Sequence, residues 1–522
     1  MKFKLAIILF LIALGSLFAQ VTPYGYNLSA DGKIIPKTSS TNPMSNSILD
    51  ILTIGDTVWL GTSRGVSVSF DRGESWTNFF GTAPFGDDNI SAIGYDSVSV
   101  TFWAATARTV EGVADDVPAG TGLKYTTDNG LTWTAVPQPV DHPDSTTVQY
   151  GINTLQALPV TVTEQNLTYD IAFTPGTIWI TSFAGGLRKS SDMGQTWQRV
   201  VLPPDFLSSI APDDTLDFCL SPVAGSFCDE GNLNHRVFSV ISTDETTLYV
   251  GTANGINKST DNGISWIKFN HQNQAEPISG NFITALGYNN STNIVWAATW
   301  KAEEASEYTG VSSSDNGGTT WKTFLRDEKT HNFGFKYFDV IAATDNGPFR
   351  SSNDGRSWIL PTSIIDTISD PTSKVFLRTD TYFSAGTEGN DVWLGSNDGL
   401  VKLEESGFWR GKAKLFFAAQ SLQDLSTTYC YPNPFSPNQE QLKIIYSTDN
   451  KPATVTIRIF DFGMNYVRTL IQNAPRQRGL EGPPDFWDGK DDTGKIVPNG
   501  VYMYRVDVDS DTPLFGKIIV LR

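Results

Sequence analysis

Four histidines, His142, His235, His271 and His331, are the only imidazoles among 522 residues. Imidazole binds divalent metals well and changes charge near neutral pH. The four lie far apart in sequence, so one shared ion needs loops from several places to converge; the bland reading is polar residues on polar loops. A second set is acidic: Glu111, Asp115 and Asp116 in one long stretch, Glu303 and Glu304 in another. Two carboxyl groups across a groove are what acid–base cleavage of a glycosidic bond needs. A chain of net charge −18, however, puts Asp and Glu on every loop. Arg64, Arg108 and Arg236 could together hold a substrate carboxylate, and Trp103, Trp300 and Tyr308 could stack on sugar rings, although Trp inside a strand pattern more often packs a core. Cys219 and Cys228 share one loop, where an oxidising compartment favours a local disulfide; Cys430 is the odd one, with no metal partner at short spacing. No Gly-rich phosphate loop, Ser nucleophile elbow or Cys/His metal spacing occurs, so no cofactor is expected.

The elements that must position these groups repeat. Residues 58–79, VWLGTSRGVSVSFDRGESWTNF, give a strand, a second strand, a polar turn and a Trp, and the same order returns until seven units end at Trp76, Trp133, Trp197, Trp266, Trp321, Trp358 and Trp409. In S-x-D-x-G-x-x-W the Asp closes an Asx turn on backbone N–H groups and the Gly takes a backbone angle other residues resist. The motif resembles the Asp-box (BNR) repeat of sialidase-like β-propellers. Four copies fit cleanly, at Asp71, Asp128, Asp192 and Asp261. The fifth, read from Asp315, has one extra residue before Trp321; the sixth has Asn353; the seventh keeps Glu405, Gly407 and Trp409. With an inner strand before each unit, the resemblance implies an all-β, seven-bladed β-propeller over residues 20–418. Pairing the two chain ends in one blade would close the ring, with residues 25–35 or 414–418 as the closing segment. Strand parity then puts the Asp-box turns on one face. Insertions 107–121, 137–165, 203–234, 300–309 and 326–334, and with them all four histidines, fall on the other, where a ligand is expected. The Asp box itself is a structural turn. The Arg-Ile-Pro signature of sialidases is absent; a xyloglucanase-type propeller would place its acids among the five carboxylates named above.

After a linker at 419–430, the strands LKIIYS, TVTIRIFD, YVRTL and GKIIVLR read as a compact sandwich over 431–522. Tyr431, Pro432, Asn433, Pro434 and Phe435 are followed by Asp461, Val467 and Leu470. Then come Trp487, Asp488, Gly489, Asp491, Gly494, Gly500, Val501, Tyr502 and a basic final Arg522. In this order they resemble the Ig-like module of the flagellar hook-capping protein (FlgD Ig-like) and the type A C-terminal sorting domains of type IX secretion cargo. Met464 stands where Gly is usual, with Gly463 one place early. Lys490 interrupts the acidic order that a calcium loop would need in residues 487–494, so a hairpin turn is expected there.

Residues 1–19, with Lys2 and Lys4, an apolar run and then Gly15, Ser16 and Ala19, read as a secretory signal peptide. No Cys follows the apolar run to carry a lipid, and no later stretch is long and apolar enough to span a bilayer. The strongly negative charge argues against nucleic acid and anionic membrane surfaces. The resulting expectation is a secreted or cell-surface propeller that binds a glycan or protein ligand and leaves the periplasm through the type IX export machinery. The alternative is a secreted glycoside hydrolase.

Overall fold

The computed structural model describes residues 38–112, 115–369, 375–377, 379–418, 425–438, 441–479 and 482–521. The signal peptide, residues 25–35 and Arg522 lie outside them. The chain is all-β, and its first part is a β-propeller. Seven antiparallel sheets, blades one to seven, begin at the innermost strands Ile48–Ile54, Asn89–Asp96, Ile171–Thr174, Val237–Ser242, Phe282–Asn289, Thr330–Lys336 and Tyr382–Glu388. Each innermost strand lies beside the next, and the seventh returns to the first, which closes the ring.

The second strand of each blade is apolar on both faces because neighbouring blades cover both. It carries Trp59, Trp103, Trp179, Tyr249, Trp296, Ile341 or Trp393 at one level, all buried. The repeated turn follows the third strand. In blade four, Ser259 donates to Asp261 (2.7 Å) and accepts from the Gly263 N–H (2.8 Å), while the Ser265 N–H donates to Asp261 (2.9 Å). Blades one to three repeat these bonds around Asp71, Asp128 and Asp192. Asn353 makes them in blade six. In blade five they centre on Asn316, which accepts from Ser314 (2.9 Å) and the Thr320 N–H (3.0 Å). This corrects the reading from Asp315, which instead pairs with Lys322 at 2.6 Å. With Asn316 in the turn the fifth copy has no extra residue.

The turn glycines are contact points between blades. Gly263 has φ +77°, and a Cβ there would lie 2.6 Å from the Trp179 ring of blade three. Gly73 meets Trp393 of blade seven in the same way, with a Cβ distance of 2.6 Å, so the joint that closes the ring is built like the others. Among the described residues no strand is exchanged there. The first blade takes an extra outer strand, Thr38–Ser40, beside Trp76–Asn78, and Arg410–Phe416 is simply the outer strand of blade seven. Closure through 414–418 is therefore corrected: the aromatic seam of Trp76, Trp393 and Phe416 does that work.

Two insertions are also structured. Thr147–Tyr150, Asn153–Ala157 and Cys219–Leu220 form a three-stranded sheet, and Ser209–Ile210 adds a fifth strand to blade four. Tyr150, Leu155, Leu220 and Ile210 join one core with Trp179 and Trp266, so these segments fill the wedge between blades three and four. The Tyr150 hydroxyl reaches the Ile264 carbonyl in the turn of blade four (2.8 Å), so this insertion extends along the rim towards the Asp-box face. Cys219 and Cys228 are joined by a disulfide, their Cα atoms 5.8 Å apart.

The C-terminal sandwich pairs Tyr429–Tyr431, Leu442–Ile445 and Asp485–Trp487 in one sheet. Tyr466–Arg476, Ala453–Asp461, Gly500–Val508 and Leu514–Val520 make the other. Trp487, Tyr504, Ile457 and Ile518 are buried between them. Residues 490–496 close a hairpin in which Asp491 accepts the Thr493 and Lys495 N–H groups. Cys430 is a free thiol, which burial pushes up to about 12, so it stays protonated at neutral pH. The sandwich packs on blade seven: Lys443 meets Asp398 at 2.5 Å and covers the Phe417 ring, and Phe417 meets Phe486 edge-on.

Candidate functional site: the axial channel

The innermost strands share an irregularity at one level. Their pairing with the second strand skips Leu49, Ser91, Phe238, Thr284, His331 and Phe383. Such bulges re-aim side chains and cluster beside functional sites. The next residue is Asp50, Ala92, Ser239, Ala285, Asn332 or Ser384, and in blade three the equivalent is Asp170, whose carbonyl accepts the Thr181 N–H. Asp170 accepts the Val240 N–H (2.9 Å) and the Ser239 hydroxyl (2.8 Å) of blade four, besides its own Ile171 N–H (2.8 Å). Asp50 accepts the Ile51 N–H (2.9 Å), a backbone bond from Ile93 of blade two, and the Asn332 amide of blade six (3.3 Å). Ser239 does the same stapling without charge, accepting the Leu286 N–H of blade five at 3.0 Å. A hydroxyl therefore suffices to join blades here, and the two carboxylates exceed what the joint requires.

These residues line a cavity of about 770 Å³ along the axis. Its charged lining is Asp50 and Asp170 at the bulge level and Asp96, Asp244 and Glu245 at the first turns; among the described lining residues there is no Lys or Arg. Asp50 and Asp170 face the channel yet lie deep in the ring, where the desolvation of a carboxylate is costly. Burial, reinforced by the charge of Asp170, pushes Asp50 up to about 7; burial pushes Asp170 to about 6 against its hydrogen bonds. Both carboxyls therefore keep their protons to higher pH than an exposed carboxylate would. Around the insert-bearing end runs a chain of aromatic contacts. Tyr169 meets Phe238 (5.3 Å), Phe238 meets Phe282 (4.8 Å), and Trp300 and Phe383 flank His331 (6.0 and 5.4 Å).

The structure separates the groups that the sequence singled out. His142 is exposed beside Asp144, His235 is buried between the Leu202 and Ser221 carbonyls, His271 bonds the Ile278 carbonyl, and His331 bonds Asp345 at 2.8 Å. Burial holds His235 down to about 4, so it is neutral. Each has its own partner, and among the described residues no group of three His, Cys, Asp or Glu side chains could hold a metal. Glu111, Asp115, Asp116, Glu303 and Glu304 are exposed. In the second of those loops the buried carboxylate is Glu307, which accepts the Ala302 and Asn281 N–H groups (2.8 and 3.0 Å) and orders the loop. Trp103 and Trp300 are buried, which is core packing and leaves neither ring open to stack on a sugar. Arg236 is held by the Pro222 carbonyl and the Phe183 ring, and Arg64 lies over Phe80. Asp50 and Asp170 were missed, though a signal exists: each is an acid inside an otherwise apolar inner strand, ILDILTI and YDIAF.

No family model matches the chain. A stretch of it is similar to the xyloglucanase Xgh74A of Acetivibrio thermocellus, at 25% identity over 195 residues. That stretch is 33% of this chain and 20% of the relative, so the chain spans about a fifth of that protein's length. Among solved structures it is similar to PorZ, a bacterial surface component of the type-IX secretion system of Porphyromonas gingivalis. There the identity is 16%, the TM-score 0.40, and the match covers 91% of this chain and 66% of that one. It is also similar to YCF48 from Cyanidioschyzon merolae, at 11% identity and a TM-score of 0.39, over 68% of this chain and 92% of that one. No helix among the described residues is long and apolar enough to cross a membrane.

Proposed function

We propose that this is an exported binding protein whose axial channel takes a cationic group, a primary amine or guanidinium carried by a peptide or glycan. The observation that carries this is the lining: five carboxylates, no Lys or Arg among the described lining residues, and at one end an aromatic collar in which His331 is bonded to Asp345. Carboxylates attract the cation and aromatic faces hold it once it is desolvated. The C-terminal sandwich is proposed as the export address to the type IX route, on the strength of the ordered motif from Tyr431 to Tyr502. An array of amine-bearing peptides and oligosaccharides beside their N-acetylated counterparts tests the ligand class. Binding should follow the free amine and fall about tenfold or more when Asp50 and Asp170 are both replaced by Asn, as loss of a charge-assisted contact implies. Equal binding of the acetylated set would overturn it.

The xyloglucanase similarity favours a second reading, a hydrolase acting on polysaccharide. Incubating the mature protein with xyloglucan and assaying reducing ends decides between them; release above background would favour the hydrolase.

A further inference from the structure

The acids of the axial channel stand in two tiers. The inner tier is Asp50 and Asp170 at the bulge level. The outer tier is Asp96 of blade two and Asp244 of blade four, at first turns that flank blade three, the blade of Asp170. Asp96 accepts the Val98 N–H (2.9 Å) and the Ser99 hydroxyl (2.6 Å), and Asp244 accepts the Thr246 and Thr247 N–H groups (2.9 and 2.8 Å). These bonds fix both carboxylates at the rim. Asp96 ends the strand Asn89–Asp96, four residues beyond Ala92 at the bulge level. A strand rises ~3.3 Å per residue, so the tiers lie about 13 Å apart along it. Just beyond the bulge level the wall of these three blades is Ile93, Gly94, Ala172, Phe173, Val240 and Ile241; hydroxyls return at the mouth with Thr174, Ser242 and Thr243. The channel therefore offers negative charge at two levels with an apolar band between them.

A separate group marks the inner tier as a seat for a hydrogen-bond donor. His331 lines the channel at the bulge level, its side chain 5% exposed. Its Nε2 meets Asp345 Oδ1 at 2.8 Å, and this bond holds Asp345 below the ordinary carboxylate range. A carboxylate accepts, so Nε2 carries the hydrogen and Nδ1 of the neutral ring keeps its lone pair. Among the described residues nothing donates to Nδ1. Trp300 and Phe383 clamp the ring edge-on, and the adjacent Asn332 reaches Asp50 (3.3 Å). A buried acceptor left open at the level of two carboxyl groups is completed by an N–H group.

We propose that the channel takes an extended peptide with two basic residues four positions apart, the inner ammonium held by Asp50, Asp170 and His331 Nδ1 and the outer one by Asp96 and Asp244. This rests on the reading of the channel as an amine site and adds the length and sequence of its ligand. An extended backbone repeats the rise of the wall, so side chains four apart leave one face at the spacing of the tiers. Small apolar residues between them meet the apolar band, against which a sugar chain would lay unpaired hydroxyls. Calorimetry on the mature protein compares capped five-residue alanine peptides that carry lysine at both ends, at one end only, or at the first and third positions. The peptide with lysine at both ends should bind about tenfold tighter than the other two. Asp96→Asn with Asp244→Asn, which keeps acceptors for the turn N–H groups, should reduce it to the level of the single-lysine peptide. His331→Phe should weaken all three about equally. Equal binding of the single-lysine or the closely spaced peptide overturns the inference and leaves the amine reading standing, as does tighter binding of a glucosamine pentamer. Failure of every amine to bind overturns both. The rim variant decides the case even if His331→Phe fails to fold.

Discussion

Asp50 and Asp170 set the pH behaviour of this molecule against that of its turn aspartates. A carboxylate whose folded pKa is raised binds its proton more tightly in the native state. Its stabilisation is whole below the ordinary value of 3.8 and is lost as pH climbs towards about 7 for Asp50 and about 6 for Asp170. Asp128 and Asp192 are held down to about 2, chiefly by the hydroxyls of Thr132 and Thr196, so their contribution is present above pH 4 and lost as pH falls towards 2. Asp50→Asn keeps an acceptor for the neighbouring N–H groups and removes the charge. It should leave stability unchanged near pH 4 and raise it at pH 8 by on the order of 1–2 kcal/mol, allowing for water in the channel; thermal unfolding at pH 4, 6 and 8 checks this. Met464 is a second case at this scale. It sits at φ +62° in the turn where Asp461 accepts the Asn465 N–H, a conformation costly for a side chain. Met464→Gly should stabilise the sandwich by roughly 0.5–1 kcal/mol, since relief of strain exceeds the added chain entropy; denaturant midpoints measure it. The departure from the usual glycine was visible in sequence. The channel acids carried a signal too, but only the ring brings residues 120 positions apart, 50 and 170, to one level.

At the scale of the element, the repeated turn was legible because its bonds are local: Ser, Asp and Gly at fixed offsets close on themselves. The fifth copy was misread for a local reason as well, since Asp315 and Asn316 both follow Ser314 and only the bond geometry selects the second. What no offset announces is the partner across the joint. Gly263→Ala should cost on the order of 2–4 kcal/mol, from the left-handed backbone and from collision with Trp179. Asp261→Ala should cost about 1–2 kcal/mol through its lost turn bonds. Neither should alter ligand binding, because the turns lie away from the bulge level of the channel; melting and binding measured on one preparation test both. The sequence places the insertions on a ligand face but does not show that two of them are packed into the ring. Their apolar residues, Leu155, Ile210 and Leu220, are too sparse in sequence to form a pattern, and their burial depends on Trp179 and Trp266 of separate blades.

At the scale of the molecule, composition and repeat number sufficed for the propeller. The closing joint was not legible, because among the described residues it is made by packing between blades one and seven, Trp76 against Trp393 and Phe416. Nor was the seat of the sandwich, where Lys443 and Phe486 meet Asp398 and Phe417. Truncation after Gln420 should leave a folded propeller, less stable because Phe417 is uncovered, and in a type IX host should strand it in the periplasm. Surface fractionation reads the outcome, and wild-type export of the truncated chain would refute the address. On the proposed function, a cation entering the channel displaces a proton from Asp50 and Asp170. Titration calorimetry of the mature protein with hexalysine at pH 6.5, in two buffers of different ionisation heat, counts that proton directly. Binding to the wild type should release protons, and replacing both aspartates by Asn should remove the release and the tight binding together. Binding of equal strength in the doubly substituted protein, with no buffer dependence in either, would contradict it.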